Sequence, residues 1–191
     1  MTPNDILTRL QRSSALLNGH FLLSSGLHSD SYVQCALLLQ YPDDAEAVGV
    51  ALAGLLDEFA PERVLSPAIG GIVIGQEVAR ALSIPHQFVE KQNGVPTLRR
   101  GFSLKKGERV VVVEDVVTTG RSTKEVIELA RLQGAIPVAV GSIIDRSAGH
   151  ADFDMPYRSL LELDFRIYKP DECPLCEAGV PLYKPGSRQR K

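Results

Sequence analysis

Hydrophobic and polar residues follow one another in blocks along this chain, and the blocks predict alternating strands and helices. Residues 110–113 are four consecutive valines between charged neighbours, which is typical of a strand buried on both faces of a parallel sheet. After residue 123 the apolar positions recur at three- and four-residue spacing up to Gly134, which predicts a helix with a glycine stop. The same two patterns predict strands over residues 63–66, 84–89 and 137–144 and helices over residues 43–59 and 72–82. We therefore expect an α/β fold with an open, mainly parallel sheet flanked by helices.

The two ends of the chain predict smaller elements around this core. Residues 1–14 predict a short helix, and residues 19–34 predict two short strands around a Ser/Gly turn. The remaining strands are expected near residues 157–164 and 165–168. With 191 residues in total, the chain is expected to form a single domain, 1–191, with its core over about 41–170.

Composition narrows the class of protein. Apolar residues make up 44% and charged residues 23% of the chain, values that are ordinary for a globular protein. A net charge of -2 gives no indication of a nucleic-acid partner, and no apolar run is long enough to indicate a membrane span. The basic tail Arg188, Arg190 and Lys191 is interpreted as solvated. Three cysteines without an export signal predict a reducing, cytoplasmic location.

The turn after the valine run carries the clearest chemistry. Glu114 and Asp115 follow the valines, and the hydroxyl- and glycine-rich residues 118–123 lead into the predicted helix. A turn that enters a helix offers free backbone N–H groups to a phosphate. Two carboxylates beside that turn would repel a phosphate unless they face ribose hydroxyls or a bound Mg²⁺ ion. An ordinary buried strand with a capped turn is the alternative, and the acidic pair argues against it.

Two further segments are candidates for anion binding. Gly70 and Gly71 form a turn between a predicted strand and a predicted helix, which suits either an anion or the geometry of the turn alone. Residues 91–106 contain an Asn-Gly pair and a basic cluster, which predicts either a solvated hairpin or a mobile loop that closes cations over a substrate. The basic residues are Lys91, Arg99, Arg100, Lys105 and Lys106.

The cysteines and histidines give a weaker signal. Cys173 and Cys176 form one C-x-x-C pair, which supplies half of a tetrahedral zinc site, and Cys35 would be a third ligand only if the fold brought it near. Metal-free structural thiols are favoured over a shared or partial metal site. His20 and His28 lack metal-ligand spacing and are interpreted as surface or hydrogen-bonded histidines.

Residues 111–122 resemble the phosphoribosyl pyrophosphate (PRPP) motif of the type I phosphoribosyltransferases. Residues 19–34 resemble the N-terminal hood of the orotate phosphoribosyltransferases, and a bacterial subset of that family also resembles this chain in its Cys-Pro-x-Cys tail. The resemblance implies a hood built from about 1–40 plus the C-terminal segment. It implies transfer of a phosphoribosyl group from PRPP to orotate, with Mg²⁺ as cofactor, by a homodimer that shares a loop across its interface. The alternatives are a purine-base phosphoribosyltransferase and a PRPP-sensing regulator without catalysis.

The resemblance also assigns residues. Lys91 and Asp115 are the expected catalytic residues, and Mg²⁺ is expected to arrive with PRPP near Glu114 and Asp115 without a direct protein ligand set. Ser24 stands where relatives often carry a lysine, so no catalytic cation is expected in the hood. The orotate contacts are expected to be Tyr32, Val33, Thr118 and Arg146. The PRPP contacts are expected to be Ala68, Ile69, Gly70, Lys91, Arg99, Arg100, Glu114, Asp115, Val116, Val117, Thr118, Thr119, Gly120, Arg121 and Ser122.

Overall fold

Two sheets and six α-helices make up the computed structural model, which describes residues 1–23 and 25–185. Ser24 and the basic tail therefore lie outside the described residues. Two 3₁₀ turns occur at Asp57–Phe59 and Pro170–Glu172. The helices are α1 (Pro3–Arg12), α2 (Cys35–Leu39), α3 (Pro42–Leu56), α4 (Gly71–Leu82), α5 (Arg121–Leu132) and α6 (Pro174–Glu177). The strands are β1 (Leu16–Leu22), β2 (His28–Val33), β3 (Arg63–Pro67), β4 (His86–Gln92), β5 (Val95–Leu98), β6 (Arg109–Val117), β7 (Ile136–Asp145), β8 (Tyr157–Glu162) and β9 (Ile167–Tyr168).

The larger sheet has six strands in the order β5-β4-β3-β6-β7-β8. All neighbours are parallel except β4 and β5, which form an antiparallel hairpin at one edge. Helix α4 connects β3 to β4 and helix α5 connects β6 to β7, and the carboxyl ends of these four parallel strands meet at one edge of the sheet. The predicted fold class, an open and mainly parallel sheet flanked by helices, is confirmed.

Strand β6 lies at the centre of this sheet because its valines are buried on both faces. Val111 and Val113 pack in the cluster that contains α3 and α4, whereas Val110 and Val112 pack in the cluster that contains α5. All four are 0% exposed. Burial of one valine side chain contributes roughly 1.5–3 kcal/mol, so this short run anchors both helical layers to the sheet.

The smaller sheet forms a hood over the carboxyl edge of the larger one. Strands β1 and β2 are an antiparallel hairpin, and the two-residue strand β9 pairs with β2. The C-terminal segment joins this sheet through a bridge between Phe21 and Tyr183. At the other side of the hood, α1 is tied to the core by Arg9 and Arg12, whose guanidinium groups both bind the buried carboxylate of Asp44.

Two details differ from the sequence-based expectations. Strand β6 continues through the acidic pair to Val117, whereas the sequence places Glu114 and Asp115 after the strand. Charged residues have low strand propensity, but pairing with β7 along this whole stretch keeps the backbone extended. The short helix α2 was not predicted. In the described part of the chain, no helix is both long and apolar enough to span a membrane.

Candidate active site

The acidic pair lies on β6 at the carboxyl edge of the sheet, largely covered by protein. Glu114 is only 6% exposed, so it is not at an exposed strand end as the sequence suggests. Its Oε2 accepts a hydrogen bond of 2.9 Å from the hydroxyl of Ser122, and Asp115 Oδ1 accepts one of 2.9 Å from the Val116 N–H. These bonds hold both carboxylates in place beside the turn that follows.

Burial changes the protonation of this pair. Burial first, and then the neighbouring charge of Asp115, raises the pKa of Glu114 well above its ordinary value. Burial also raises the pKa of Asp115. Two adjacent carboxyls with little access to water resist ionising together, so the site favours a protonated form of the pair. Hydroxyl groups of a sugar, or a cation carried by a substrate, would stabilise the ionised form.

The glycine turn before α4 packs directly on the acidic pair. A Cβ atom on Gly70 would lie 2.7 Å from Asp115 Oδ1, and one on Gly71 would lie 2.9 Å from the Val113 carbonyl oxygen. Both positions therefore require glycine for close approach to β6. This contact places the expected pyrophosphate loop, which also includes Ala68 and the 85% exposed Ile69, beside the acidic pair.

The turn from β6 into α5 lines a cavity of about 330 Å³. Gly120 adopts a φ of 70°, and a Cβ atom there would lie 2.8 Å from the ring of Phe153. This left-handed glycine turns the backbone into α5, whose N-terminal N–H groups suit a phosphate. The residues that line the cavity are Lys91, Val116, Val117, Thr118, Thr119, Gly120, Arg121, Ser122 and Thr123. The structure thus brings the predicted phosphate loop together with Lys91.

Lys91 lies at the phosphate cavity, whereas the other predicted cations, Arg99 and Arg100, lie elsewhere. Lys91 Nζ is 2.6 Å from Glu125 Oε2 on α5, which places the ammonium group at the phosphate cavity. Arg99 and Arg100 instead contact Glu90, with Arg100 Nη2 at 2.9 Å from its Oε1. Successive side chains on a strand point to opposite faces, so Glu90 and Lys91 direct their partners to opposite sides of β4. Within this chain, Arg99 and Arg100 do not reach the phosphate cavity.

Residues 91–98 form the hairpin that the Asn-Gly pair favours. Asn93 and Gly94 both have positive φ angles and connect β4 to β5, whose pairing runs from Gln92 with Val95 to Val89 with Leu98. The sequence predicted either a hairpin or a mobile loop for this segment, and the structure contains the hairpin. Closure of this segment over a substrate stays a prediction.

A second, larger cavity of about 830 Å³ lies between the hood and the carboxyl edge. Its lining includes all four residues expected to contact a base, namely Tyr32, Val33, Thr118 and Arg146, together with Asp115. It shares Val116, Thr118 and Thr119 with the phosphate cavity. Further lining residues that the sequence did not single out are Gln34, Ser147, His150, Ile167 and Lys184. Gln34 directly follows Val33, and Ser147 and His150 come shortly after Arg146, so their places in the sequence could have indicated these three residues.

Arg146 is a half-buried cation in the wall of this second cavity. Its guanidinium carbon lies 4.1 Å from the centre of the Phe165 ring, and its Nε is buried without a hydrogen-bond partner in the described residues. Asp145 does not pair with it, because Asp145 Oδ1 accepts the Ser147 N–H at 2.7 Å. Burial lowers the pKa of Arg146, although a guanidinium stays charged at any ordinary pH. A planar cation held on an aromatic ring with an unpaired donor suits a carboxylate ligand.

Tyr32 forms the opposite, hood side of the same cavity. Its ring packs at 5.7 Å from that of Phe21, and burial followed by the charge of Asp115 raises the pKa of its hydroxyl. The hydroxyl is therefore neutral, and the ring offers a flat apolar surface to a planar base.

The remaining sequence candidates lie away from both cavities. His20 and His28 are 2% and 5% exposed, so the interpretation as surface histidines is wrong, although both are hydrogen-bonded. They lie against Cys173 and Cys176. Cys35 is buried in the hydrophobic core and takes no part in this group.

Comparison with known proteins agrees with this geometry. Residues 38–175 match the family model described as "Phosphoribosyl transferase domain". Over 182 residues the chain is 54% identical to an orotate phosphoribosyltransferase of Thermotoga maritima, covering 95% of this chain and 97% of the relative. The chain belongs to the orotate phosphoribosyltransferase family. A second member, from Caldanaerobacter subterraneus, is 48% identical over 99% of this chain and all of its own length.

Solved structures of the family share the fold. The crystal structure of orotate phosphoribosyltransferase from Aeropyrum pernix superposes with a TM-score of 0.72 at 28% identity, covering 83% of this chain and 93% of that one. Membership of the orotate phosphoribosyltransferase family makes the protein a pentosyl-transferring enzyme.

Proposed function

We propose that this enzyme transfers the 5-phosphoribosyl group from PRPP to orotate and releases pyrophosphate, a step of pyrimidine nucleotide synthesis. The observation that carries the proposal is the meeting of two cavities on one sheet edge. A phosphate loop lines the first, the half-buried Arg146 lines the second, and Val116, Thr118 and Thr119 line both. The product, orotidine 5′-monophosphate, has its phosphate on the ribose and its carboxylate on the base, which matches an anion loop and Arg146 in two adjoining cavities.

Each part of PRPP has a matching element. The turn from Val116 to Ser122 binds the 5′-phosphate through backbone N–H groups and hydroxyls. Glu114 and Asp115 accept hydrogen bonds from the ribose hydroxyls, and the ordered carboxyls described above are placed for this. The turn of Ala68, Ile69 and Gly70 receives the pyrophosphate, since Gly70 lies against Asp115.

The reaction forms a bond from orotate nitrogen to the anomeric carbon, breaks the bond from that carbon to pyrophosphate oxygen, and passes the proton of that nitrogen to the departing pyrophosphate or to solvent. Positive charge develops on the sugar and negative charge on the leaving group. Asp115 stabilises the first through the ribose, and Lys91 at the edge of the phosphate cavity stabilises the second. Arg146 orients orotate through its carboxylate while Tyr32 and Val33 cover its ring, so the reaction depends on positioning and on exclusion of water.

Magnesium fits the donor set at this site. Two carboxylates and the Ser122 hydroxyl are oxygen donors of the kind that Mg²⁺ prefers. The ion would arrive with PRPP near Glu114 and Asp115, where it would neutralise charge on the pyrophosphate. Turnover should therefore stop on addition of EDTA and return with excess Mg²⁺.

A base panel tests the substrate. Purified enzyme with PRPP and Mg²⁺ is expected to convert orotate and to leave adenine and hypoxanthine unchanged, with the nucleotide products separated by chromatography. Turnover of a purine base without turnover of orotate would replace this proposal by purine-base transfer. Binding of PRPP without turnover of any base would favour a PRPP-sensing regulator.

We also propose that the enzyme is a homodimer. In it, the hairpin of residues 91–98, together with Arg99 and Arg100 that follow it, would reach the active site of the neighbouring chain. Arg99 and Arg100 are exposed cations that do not reach the phosphate cavity of their own chain, which supports a role at a neighbouring chain's site. A hairpin variant (Arg99→Ala, Arg100→Ala), which keeps the Lys91 that lines its own chain's phosphate cavity, and a cavity variant (Asp115→Asn, Arg146→Ala) should each lose most of their activity. Mixed dimers should regain activity, because one of their two sites then has an intact hairpin and an intact cavity.

The control for this experiment is the exchange of subunits itself, followed by native mass spectrometry. Mixed dimers that form without regaining turnover would show that hairpin and cavity act within one chain. A monomeric protein would reject the shared site altogether.

The location proposed for the enzyme is the cytoplasm. Three free cysteines, among which Cys173 and Cys176 lie close enough to contact the same histidine, suit a reducing compartment. Cell fractionation with activity measured in each fraction would check this.

A further inference from the structure

Four side chains from distant parts of the chain meet under the hood. His20 lies on β1, His28 on β2, Cys173 directly before α6, and Cys176 within α6. One nitrogen or sulfur atom of each lies within 4.8 Å of the corresponding atom of every other. Three of the four residues are buried, and none of them lines the phosphate cavity or the base cavity.

The nitrogen–sulfur distances within this cluster match those between ligands of a tetrahedral metal ion, and the two histidine nitrogens lie somewhat closer together. His20 Nε2 lies 2.9 Å from His28 Nδ1, 3.4 Å from Cys173 Sγ and 3.7 Å from Cys176 Sγ, and Cys176 Sγ lies 3.3 Å from His28 Nδ1. Around a tetrahedral zinc ion, nitrogen and sulfur ligands are separated by about 3.3 to 3.8 Å, given the usual bond lengths. We propose that His20, His28, Cys173 and Cys176 bind one Zn²⁺ ion as a structural site.

Hydrogen bonding alone does not account for this arrangement. His20 Nδ1 lies 2.8 Å from the carbonyl oxygen of Val180, so it carries the proton and donates it there. His20 Nε2 then has a single lone pair, yet three potential partners surround it. A cation at the centre would receive that lone pair together with those of His28 and the two sulfurs. The bond to Val180 is the kind of outer contact that orients metal-binding histidines.

The chemistry of the donor set indicates the metal. Two thiolates and two imidazoles form the Cys₂His₂ set of structural zinc sites, whereas Mg²⁺ prefers oxygen. All four positions are supplied by the protein, which leaves no ligand position for a substrate and indicates a structural role.

The site would join the hood to the C-terminal segment. The Tyr183 N–H donates to the His20 carbonyl, and the Leu22 N–H donates to the Tyr183 carbonyl, both at 2.8 Å. His28 lies on β2, the strand that also carries Tyr32 and Val33 into the base cavity. Zinc bound here would therefore hold one wall of that cavity in place without contact with the substrates.

Metal analysis of the reduced, purified enzyme tests the site. Inductively coupled plasma mass spectrometry should find one zinc per chain in the wild-type protein. A Cys173→Ser, Cys176→Ser variant should lose this zinc. Cys35→Ala is the matched control, because it removes the third thiol outside the cluster and should retain the zinc. Both the double variant and chelated wild type should melt at a lower temperature than zinc-loaded wild type, whereas Cys35→Ala should respond to chelation as wild type does.

A second measurement needs no variant. Metal-free wild type titrated with Co²⁺ should develop the visible absorption of tetrahedral cobalt with thiolate ligands, saturating at one ion per chain, and Zn²⁺ should displace it. Reduced wild type that binds neither Zn²⁺ nor Co²⁺, or that holds a Cys173–Cys176 disulfide under reducing conditions, would overturn the proposal.

Discussion

The two cavities of the active site are built by regions of different construction. The phosphate cavity is lined mainly by one continuous segment at the end of β6, a nine-residue strand paired with a parallel neighbour on each side. The base cavity has one wall from that same edge and the other from the hood, where β9 contributes only two residues. The hood depends on contacts between chain ends, such as that between His20 and Cys173, which are 153 residues apart.

This difference indicates how substrate binding is divided between the two sides of the site. The phosphate side is preorganised, because Ser122 donates to Glu114, the glycines at 70 and 71 pack closely on the central strand, and Gly120 packs on Phe153. The hood side is a separate three-stranded antiparallel sheet, which is joined to the C-terminal segment through Tyr183 and not to the central strand. PRPP would bind along the end of the central strand, and the base would bind between that edge and the hood.

Arg146→Ala should have the largest effect and should act only on the base side. It leaves the orotate carboxylate buried without its partner, which costs on the order of 2–4 kcal/mol of binding free energy. PRPP affinity should hardly change, since Arg146 does not line the phosphate cavity. Isothermal titration with each substrate measures both quantities. Arg146→Lys keeps the charge but not the planar fork, and should recover only part of the loss.

Asp115→Asn should have the next largest effect and should act mainly on the phosphate side. Loss of charged hydrogen bonds to the ribose should weaken PRPP binding by about 1.5–3 kcal/mol, with the melting temperature close to that of wild type. Thermal melts and PRPP titration on the same sample show whether Asp115 acts in PRPP binding or only in the stability of the fold. A large loss of stability with unchanged PRPP affinity would indicate that the pair is only structural.

Glu114→Gln should weaken PRPP binding through the lost ribose contact, and it should also give the smallest of these effects, a change in the stability of the unliganded protein. Glu114 has a raised pKa in the folded state, so the folded protein binds its proton more tightly than the unfolded chain does. Wild-type stability should therefore fall as pH rises above about 4.5, the ordinary carboxyl range, towards the raised pKa. At pH 8 the variant should be more stable than wild type by on the order of 1–2 kcal/mol.

Urea unfolding of the Glu114→Gln variant and wild type at pH 5 and pH 8 measures this difference. The gap should be small at pH 5 and larger at pH 8. A variant that is less stable than wild type at both values would show that the ionised carboxylate stabilises the unliganded fold.

The comparison also explains what the sequence predicts well. The valine run, the acidic pair and the phosphate turn are contiguous, so periodicity and turn chemistry place them together before any tertiary structure is known. The role of Arg146 came from the family resemblance, and its position after a buried strand, whose carboxyl end meets the same edge, agrees with that role.

What the sequence could not show depends on contacts over long distances. His20 and His28 have no metal-ligand spacing, and only the pairing of the C-terminal segment with β1 brings Cys173 to them. The burial of Glu114 likewise comes from β7 and from the glycine turn packed above it, neither of which is visible in the local pattern. The partner of Arg99 and Arg100 is set by the alternation of side chains on β4.

Two Michaelis constants test most directly whether the phosphate side and the base side of the site work separately. KM for orotate and KM for PRPP should be determined for wild type, Arg146→Ala and Ser122→Ala under identical Mg²⁺ concentrations. Arg146→Ala is predicted to raise KM for orotate alone, and Ser122→Ala, which removes a hydroxyl from the phosphate turn, is predicted to raise KM for PRPP alone. A rise of both constants together in either variant would contradict a preorganised phosphate side that works apart from the hood.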